Sequence, residues 1–264
     1  MIDRKNSGKA LAAALLLALA PSVQAEDESH FSLTSGLDYS TGKYGTTSST
    51  EVWFVPVTLK YETGPSTYKL TVPYLRVTGL SGGTIIGYDD GRPIYASGTG
   101  ARTTEEGLGD VVLGYTRNVI AQPRGGFLVD VGAKVKLPTA DERKGLGTGK
   151  ADYSLYTDVY YPMGAATPFA TLGYRVQGDP VGEDLRNVWN ATLGLAYKLS
   201  SQNSVGAMWD VRQASLAGSD GMNELTAYWV HRLGESLKLQ TYGVVGFSDA
   251  SPDYGLGVMV SFTD

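Results

Sequence analysis

The feature that most limits what this chain can fold into is an alternation of apolar and polar residues that recurs along most of its length. It is cleanest at the C-terminal end. Tyr254, Leu256, Val258, Val260 and Phe262 fall on one side of an extended chain, and Gly255, Gly257, Met259 and Ser261 on the other. A period of two marks strands whose two faces meet different surroundings. The same pattern runs through Phe31–Tyr39, Trp53–Tyr61, Tyr68–Tyr74, Val111–Tyr115, Phe127–Leu137, Tyr153–Tyr161, Ala170–Val176, Trp189–Leu199 and Val205–Val211, and less regularly near 223–233 and 237–247. That makes twelve candidate strands.

Twelve is an even number, which leaves both termini on one side, as in single-chain outer-membrane barrels. The connections alternate in length. Short ones carrying Gly, Pro or Ser fall near 62–66, 120–125, 162–167, 200–203 and 234–236. Most of the others are longer, near 41–50, 79–107, 138–151, 178–187, 214–222 and 248–253. Short periplasmic turns and long outer loops have this asymmetry. The apolar face also has aromatic ends: Phe31, Tyr61, Tyr68, Tyr115, Phe127, Tyr161, Tyr197 and Phe262 at the short-turn side, and Tyr39, Trp53, Tyr74, Tyr153, Trp189 and Tyr254 at the other. Two girdles suit two lipid–water interfaces. A soluble sandwich or periplasmic barrel would also alternate, but its outward face would be rich in charge. Here the polar face mixes charges with Gly, Ser and Thr, which suits a wet lumen.

The N-terminus reads as a secretory leader. Arg4, Lys5 and Lys9 precede the apolar run Leu11–Ala20, and Val23-Gln24-Ala25 supplies small residues for cleavage after Ala25. The run is too short to span a bilayer, which takes about 20 apolar residues. The expected fold is therefore all-β: a 12-stranded antiparallel transmembrane β-barrel over 26–264, after a cleaved signal peptide over 1–25. Removing Asp3, Arg4, Lys5 and Lys9 with the leader turns a formal charge of −5 into −7. That argues against nucleic acid as a partner, because such proteins carry a basic excess. The absence of cysteine excludes disulfides, zinc–thiolate sites and a thiol nucleophile.

With the polar face inward, the lumen carries Lys60, Lys69, Lys134, Lys136, Arg175, Lys198, Arg212, Arg232 and Lys238, together with Asp38, Asp110, Asp130, Asp152, Asp158, Asp210 and Glu224. The acidic surplus is then expected in loops and turns, including Asp89, Asp90, Glu105, Glu106, Glu183 and Asp184. Charged rings set selectivity in channels, and the same charges can instead satisfy one another across a lumen. A barrel of this size falls between filled small barrels and open porins, so a narrow pore is expected. The 79–107 connection is unusually long. It either folds inward to narrow the pore or stays at the surface with a hairpin that extends the wall.

Catalytic motifs are weak. Gly145-Leu146-Gly147-Thr148-Gly149-Lys150 is not a phosphate loop, because Lys144 stands where the first Gly belongs and Ala151 follows Lys150; a flexible outer loop is expected. Asp89-Asp90-Gly91 and Ser219-Asp220-Gly221 lack calcium-loop spacing and read as turns. His30-Phe31-Ser32 has the residue types of a lipid hydrolase but sits at the inner end of the first strand, and His231 has Leu233 two positions later instead of Ser.

One run of motifs is familiar: Gly107-Leu108-Gly109-Asp110, then Lys136-Leu137-Pro138-Thr139, Gly145-Leu146-Gly147-Thr148-Gly149 and Asp152-Tyr153-Ser154. This order resembles the outer-membrane barrels grouped as putative transporters of the MetA pathway of phenol degradation, over about residues 107–160. The resemblance implies a transporter-like barrel and brings no set of binding residues. The expectation is a non-enzymatic, cofactor-free channel in the bacterial outer membrane, with lipid around it and small solutes passing through it. The alternatives are a non-conducting structural or secretion-associated barrel and, less so, a lipid hydrolase.

Overall fold

The computed structural model describes residues 29–89, 91–121, 126–180 and 184–264. The expected leader over 1–25 lies outside the described residues, as does most of the 120–125 turn. The strands are β1 (Ser29–Gly42), β2 (Thr50–Thr63), β3 (Ser66–Leu80), β4 (Thr84–Asp89), β5 (Arg92–Ala96), β6 (Arg102–Leu108), β7 (Val111–Ala121), β8 (Leu128–Leu137), β9 (Asp152–Tyr160), β10 (Ala166–Val176), β11 (Val188–Lys198), β12 (Asn203–Arg212), β13 (Met222–Arg232), β14 (Leu237–Gly246) and β15 (Tyr254–Thr263).

Every pairing in the wall is antiparallel, and β15 returns to β1 to close it. There are twelve wall positions, because β6 and β7 lie end to end along β3. Closure removes the unpaired edge, which lipid could not satisfy. The first and last strands meet at the short-turn rim, with Ser32 opposite Thr263.

The register puts the apolar residues outside. Leu193 is 60% exposed and Leu256 62%, values that make physical sense only against lipid. The aromatic girdles form by cross-strand pairing. At the short-turn end, Phe31 stacks on Tyr61 with ring centroids 4.6 Å apart, and Phe127 meets Tyr161 at 4.8 Å. At the long-loop end, Tyr39 meets Trp53 at 4.7 Å and Tyr174 meets Trp189 at 4.9 Å.

The long connection after β3 does both of the things open to it. Residues 102–108 extend the wall as β6. The β4–β5 hairpin turns inward and fills the lumen at the long-loop end. Its two faces pack on two apolar clusters, because successive side chains of a strand point to opposite sides. Ile85 and Tyr95 join Val52, Phe54, Leu75, Val77 and Leu146. Ile86 and Ile94 join Leu185. Val52, Phe54, Leu75 and Val77 sit on the inward register of the wall, so the core of this barrel is a hairpin clasped by its own strands.

The 138–151 loop corrects the expectation of a flexible segment. Leu146 and Thr148 are buried, and the backbone carbonyl of Gly145 accepts the Ile85 N–H at 2.9 Å. Gly145 has φ 68° and lies against the Gly83 carbonyl, so a side chain there would be both strained and blocked.

Candidate functional site

The residues of the familiar motifs converge on one ammonium group. Lys136 Nζ lies 3.3 Å from Asp110 Oδ2, 3.0 Å from Asp152 Oδ2 and 3.1 Å from Thr148 Oγ1. Asp110 also accepts the backbone N–H groups of Thr139 and Ala140 at 3.1 and 3.0 Å, and Asp152 accepts that of Gly178 at 3.0 Å. Lys136 is 5% exposed and Asp110 0%. The register explains the spacing: Lys136 stands directly opposite Asp152 and opposite Val112, two residues beyond Asp110. Gly109 is required beside it, because a Cβ there would strike the Tyr88 hydroxyl and Leu75. This knot ties the 138–151 loop to the rim, and that loop in turn holds the hairpin.

A second ionic group fixes the hairpin tip. Asp89 and Arg92 stand opposite each other across a two-residue turn that contains Gly91. Asp89 bridges to Arg175 on β10 and, at 2.7 Å, to Arg212 on β12. Arg92 bridges to Glu224 on β13. The Tyr88 carbonyl accepts from Arg175 Nη2 at 2.6 Å. Burial alone would raise the Asp89 carboxyl above its ordinary range, but Arg175 and Arg212 overcome that and hold it below. Sequence alone places Asp89 among the charges of loops and turns. It is instead a buried counter-ion, because the turn that contains it is carried inside the wall.

Beneath the hairpin, towards the short turns, the lumen opens into a cavity of about 540 Å³. Its charges follow the ladder rows. One row crosses from Lys60 on β2 to Lys69 on β3, Gly114 on β7, Lys134 on β8, Ser154 on β9 and Arg175 on β10. Lys60, Lys69, Lys134 and Arg175 all line the cavity. A second row crosses from Asp130 on β8 to Asp158 on β9, Thr171 on β10, Thr192 on β11, Asp210 on β12 and Glu224 on β13. The lumen charge is therefore sorted by sign.

The acidic row has partners. Asn118 donates to Asp130 at 2.7 Å, Thr171 to Asp158 at 2.7 Å and Thr192 to Asp210 at 2.6 Å, while Arg92 takes Glu224. The basic row is matched at its ends, Lys60 by Glu62 at 2.6 Å and Arg175 by Asp89. Among the described residues no carboxylate lies within salt-bridge distance of Lys69 or Lys134; Lys134 Nζ stands 4.8 Å from the centre of the Tyr156 ring. Lys198 and Arg232 are exposed at the short-turn ends of β11 and β13, and Arg232 lies opposite Lys238. Asp38 accepts from the Tyr242 hydroxyl at 2.7 Å.

The two histidines are engaged elsewhere than with a serine. His30 Nδ1 is 3.7 Å from Asp264, while Ser32 Oγ bonds Thr263 Oγ1 at 2.9 Å. His231 Nδ1 lies 2.9 Å from Asn203 Oδ1 and its ring stacks on Trp229.

No family model matches this chain, and no curated protein does. Solved structures do match. A COG4313 outer membrane channel from Pseudomonas putida F1 superposes with a TM-score of 0.70 at 11% identity, over 93% of this chain and 100% of that one. The NanC porin gives 0.57 at 9% identity, over 87% and 98%. At these identities the likeness is one of fold: the chain shares the closed antiparallel barrel of these proteins.

Proposed function

We propose that this protein is an outer-membrane channel for passive passage of small solutes, with a narrow bore and a lumen of mixed charge. The observation that carries the reading is the inversion of polarity across a closed wall: an apolar, girdled exterior around a polar, charged cavity of about 540 Å³. Such a wall is at home in a bilayer and wet inside. The fold likeness to proteins described as an outer membrane channel and a porin supports it. In this reading Lys69, Asp110, Asp130, Lys134, Lys136, Asp152, Asp158, Arg175, Lys198, Asp210, Arg212, Glu224 and Arg232 line or brace the pore. Lys136, Asp110, Asp152, Arg212 and Glu224 act as braces, and Lys69 and Lys134 face the solute.

The purified barrel in a planar bilayer is expected to give stepwise conductance. A bilayer that stays sealed at every salt and voltage would remove the channel reading. One observation favours the second reading, a non-conducting barrel: the hairpin is packed as tightly as a protein core, with Leu75 and Ile85 both 0% exposed. The two readings separate on whether the intact barrel conducts with the hairpin in place.

A further inference from the structure

The basic row is the least economical arrangement in the molecule. Lys60 and Lys69 are directly opposite across the β2–β3 ladder, and Lys69 and Lys134 flank the side-chain-free Gly114. Like charges directly opposite one another in a sheet are destabilising. Elsewhere in this lumen charges are neutralised with care: the knot puts two carboxylates on one ammonium, and the hairpin tip brings a carboxylate to two arginines. Lys69 and Lys134 have no carboxylate within salt-bridge distance among the described residues, with Asp158 and Asp89 acting on them only from farther off, and both face the cavity, with Thr58, Thr71 and Ser154 beside them. Arg175 closes the row; its guanidinium is bridged to Asp89, and its Nη1 lies buried against Gly87 with no hydrogen-bond acceptor. Lys69, Lys134 and several hydroxyls thus face a space large enough for a small organic molecule, whose lining among the described residues carries five cationic side chains, Lys60, Lys69, Lys134, Lys136 and Arg175, to one carboxylate, Asp152.

We propose that the chamber beneath the hairpin is an anion-binding site for a small solute bearing carboxylate or phosphate groups, held chiefly by Lys69 and Lys134. This rests on the channel reading for its biological sense, since it names the class of solute that pauses in the lumen. The binding itself is separable. Arginine and lysine both recognise these oxyanions, lysine as a mobile point charge.

The test uses the full barrel in detergent at low ionic strength, titrated calorimetrically with citrate and, separately, with inorganic pyrophosphate. Saturable one-to-one binding of at least one probe is expected. It should weaken at least tenfold in a Lys69→Gln/Lys134→Gln double variant and persist in Lys69→Arg/Lys134→Arg. The tighter probe assigns the carboxylate or the phosphate class. Heat-modifiable migration on gels verifies that each variant is a closed barrel. No binding of either probe, or binding that the glutamine variant leaves unchanged, overturns the proposal. Conductance of the same preparations keeps the two readings apart. A barrel that conducts without binding loses the anion site and keeps the channel. One that binds without conducting keeps the site and loses the channel.

Discussion

The two halves of the lumen solve opposite problems with the same twelve wall positions. At the long-loop end the inward register is apolar on β2 and β3 and carries paired charges on β8, β9, β10, β12 and β13. Val52, Phe54, Leu75 and Val77 grip the hairpin, and each charge that enters is matched, Asp89 by two arginines and Arg92 by Glu224. At the short-turn end the inward register is charged and hydroxylated, with Asp130 and Asp158 on β8 and β9 and with Lys69 and Lys134 facing a cavity. One half is built like the interior of a soluble protein and the other like a vestibule. The difference shows that a barrel wall does not fix what its lumen is. The inward residues decide that locally, and a single inserted hairpin of the right pattern turns half of the bore into a core.

The comparison is broken most directly by replacing residues 84–96 with a short Gly-Ser linker. The wall hydrogen bonds are untouched, so the barrel should still form. Its single-channel conductance should rise several-fold, and equal conductance would mean that the hairpin does not obstruct the bore. Next in size is Asp89→Asn, which leaves Arg175 and Arg212 buried without their counter-charge. Breaking one partner of such a group costs about 3–5 kcal/mol. The expected result is a loosened hairpin, read as faster proteolysis in the 79–107 segment and higher conductance. Leu146→Ala removes the loop's anchor on the hairpin and should cost about 2–5 kcal/mol by leaving a cavity, seen as a lower midpoint in denaturant.

Acid should act on the same latch. The Asp89 carboxyl is held below its ordinary range, so its contribution is complete above that range and is lost as pH falls through the depressed value. Conductance in strongly acid buffer should therefore approach that of Asp89→Asn, while the variant itself shows little further change. The smallest effect sharpens the comparison from the other side. Lys69→Gln relieves like-charge repulsion with Lys60 across the β2–β3 ladder and should raise stability by about 0.2–1 kcal/mol, seen as a higher midpoint in denaturant.

The wall was almost wholly legible in the sequence. Alternation marks a strand at each of the twelve wall positions, leaving only β6 of the wall segments inside the 79–107 connection, and Tyr39, Trp53, Phe127 and Tyr161 mark the girdles seen as cross-strand ring pairs. The hairpin was not. Its trace was present in Val52, Phe54, Leu75 and Val77, which put apolar side chains on the face otherwise assigned to water, and only something apolar inside could cover them. The pairing of Asp89 with Arg175 and Arg212 spans more than 80 positions of sequence and depends on where the hairpin docks. The sorting of charge into rows was hidden for a different reason. Lys60, Lys69, Lys134 and Arg175 become neighbours only through the register of five ladders, and periodicity within a strand carries no information about its offset from the next.

The two ionic groups also differ in when they can form. The knot draws on Asp110, Lys136 and Asp152, flanking or within three strands consecutive in chain and wall, so a pair of adjacent hairpins is enough to close it. The latch at Asp89 and Arg92 needs β10, β12 and β13, and contacts of such long sequence separation come late in folding. The latch therefore cannot close until β10, β12 and β13 stand together in the wall. The latch is thus a feature that only a completed wall can hold, whereas the knot depends on nothing beyond its own hairpins.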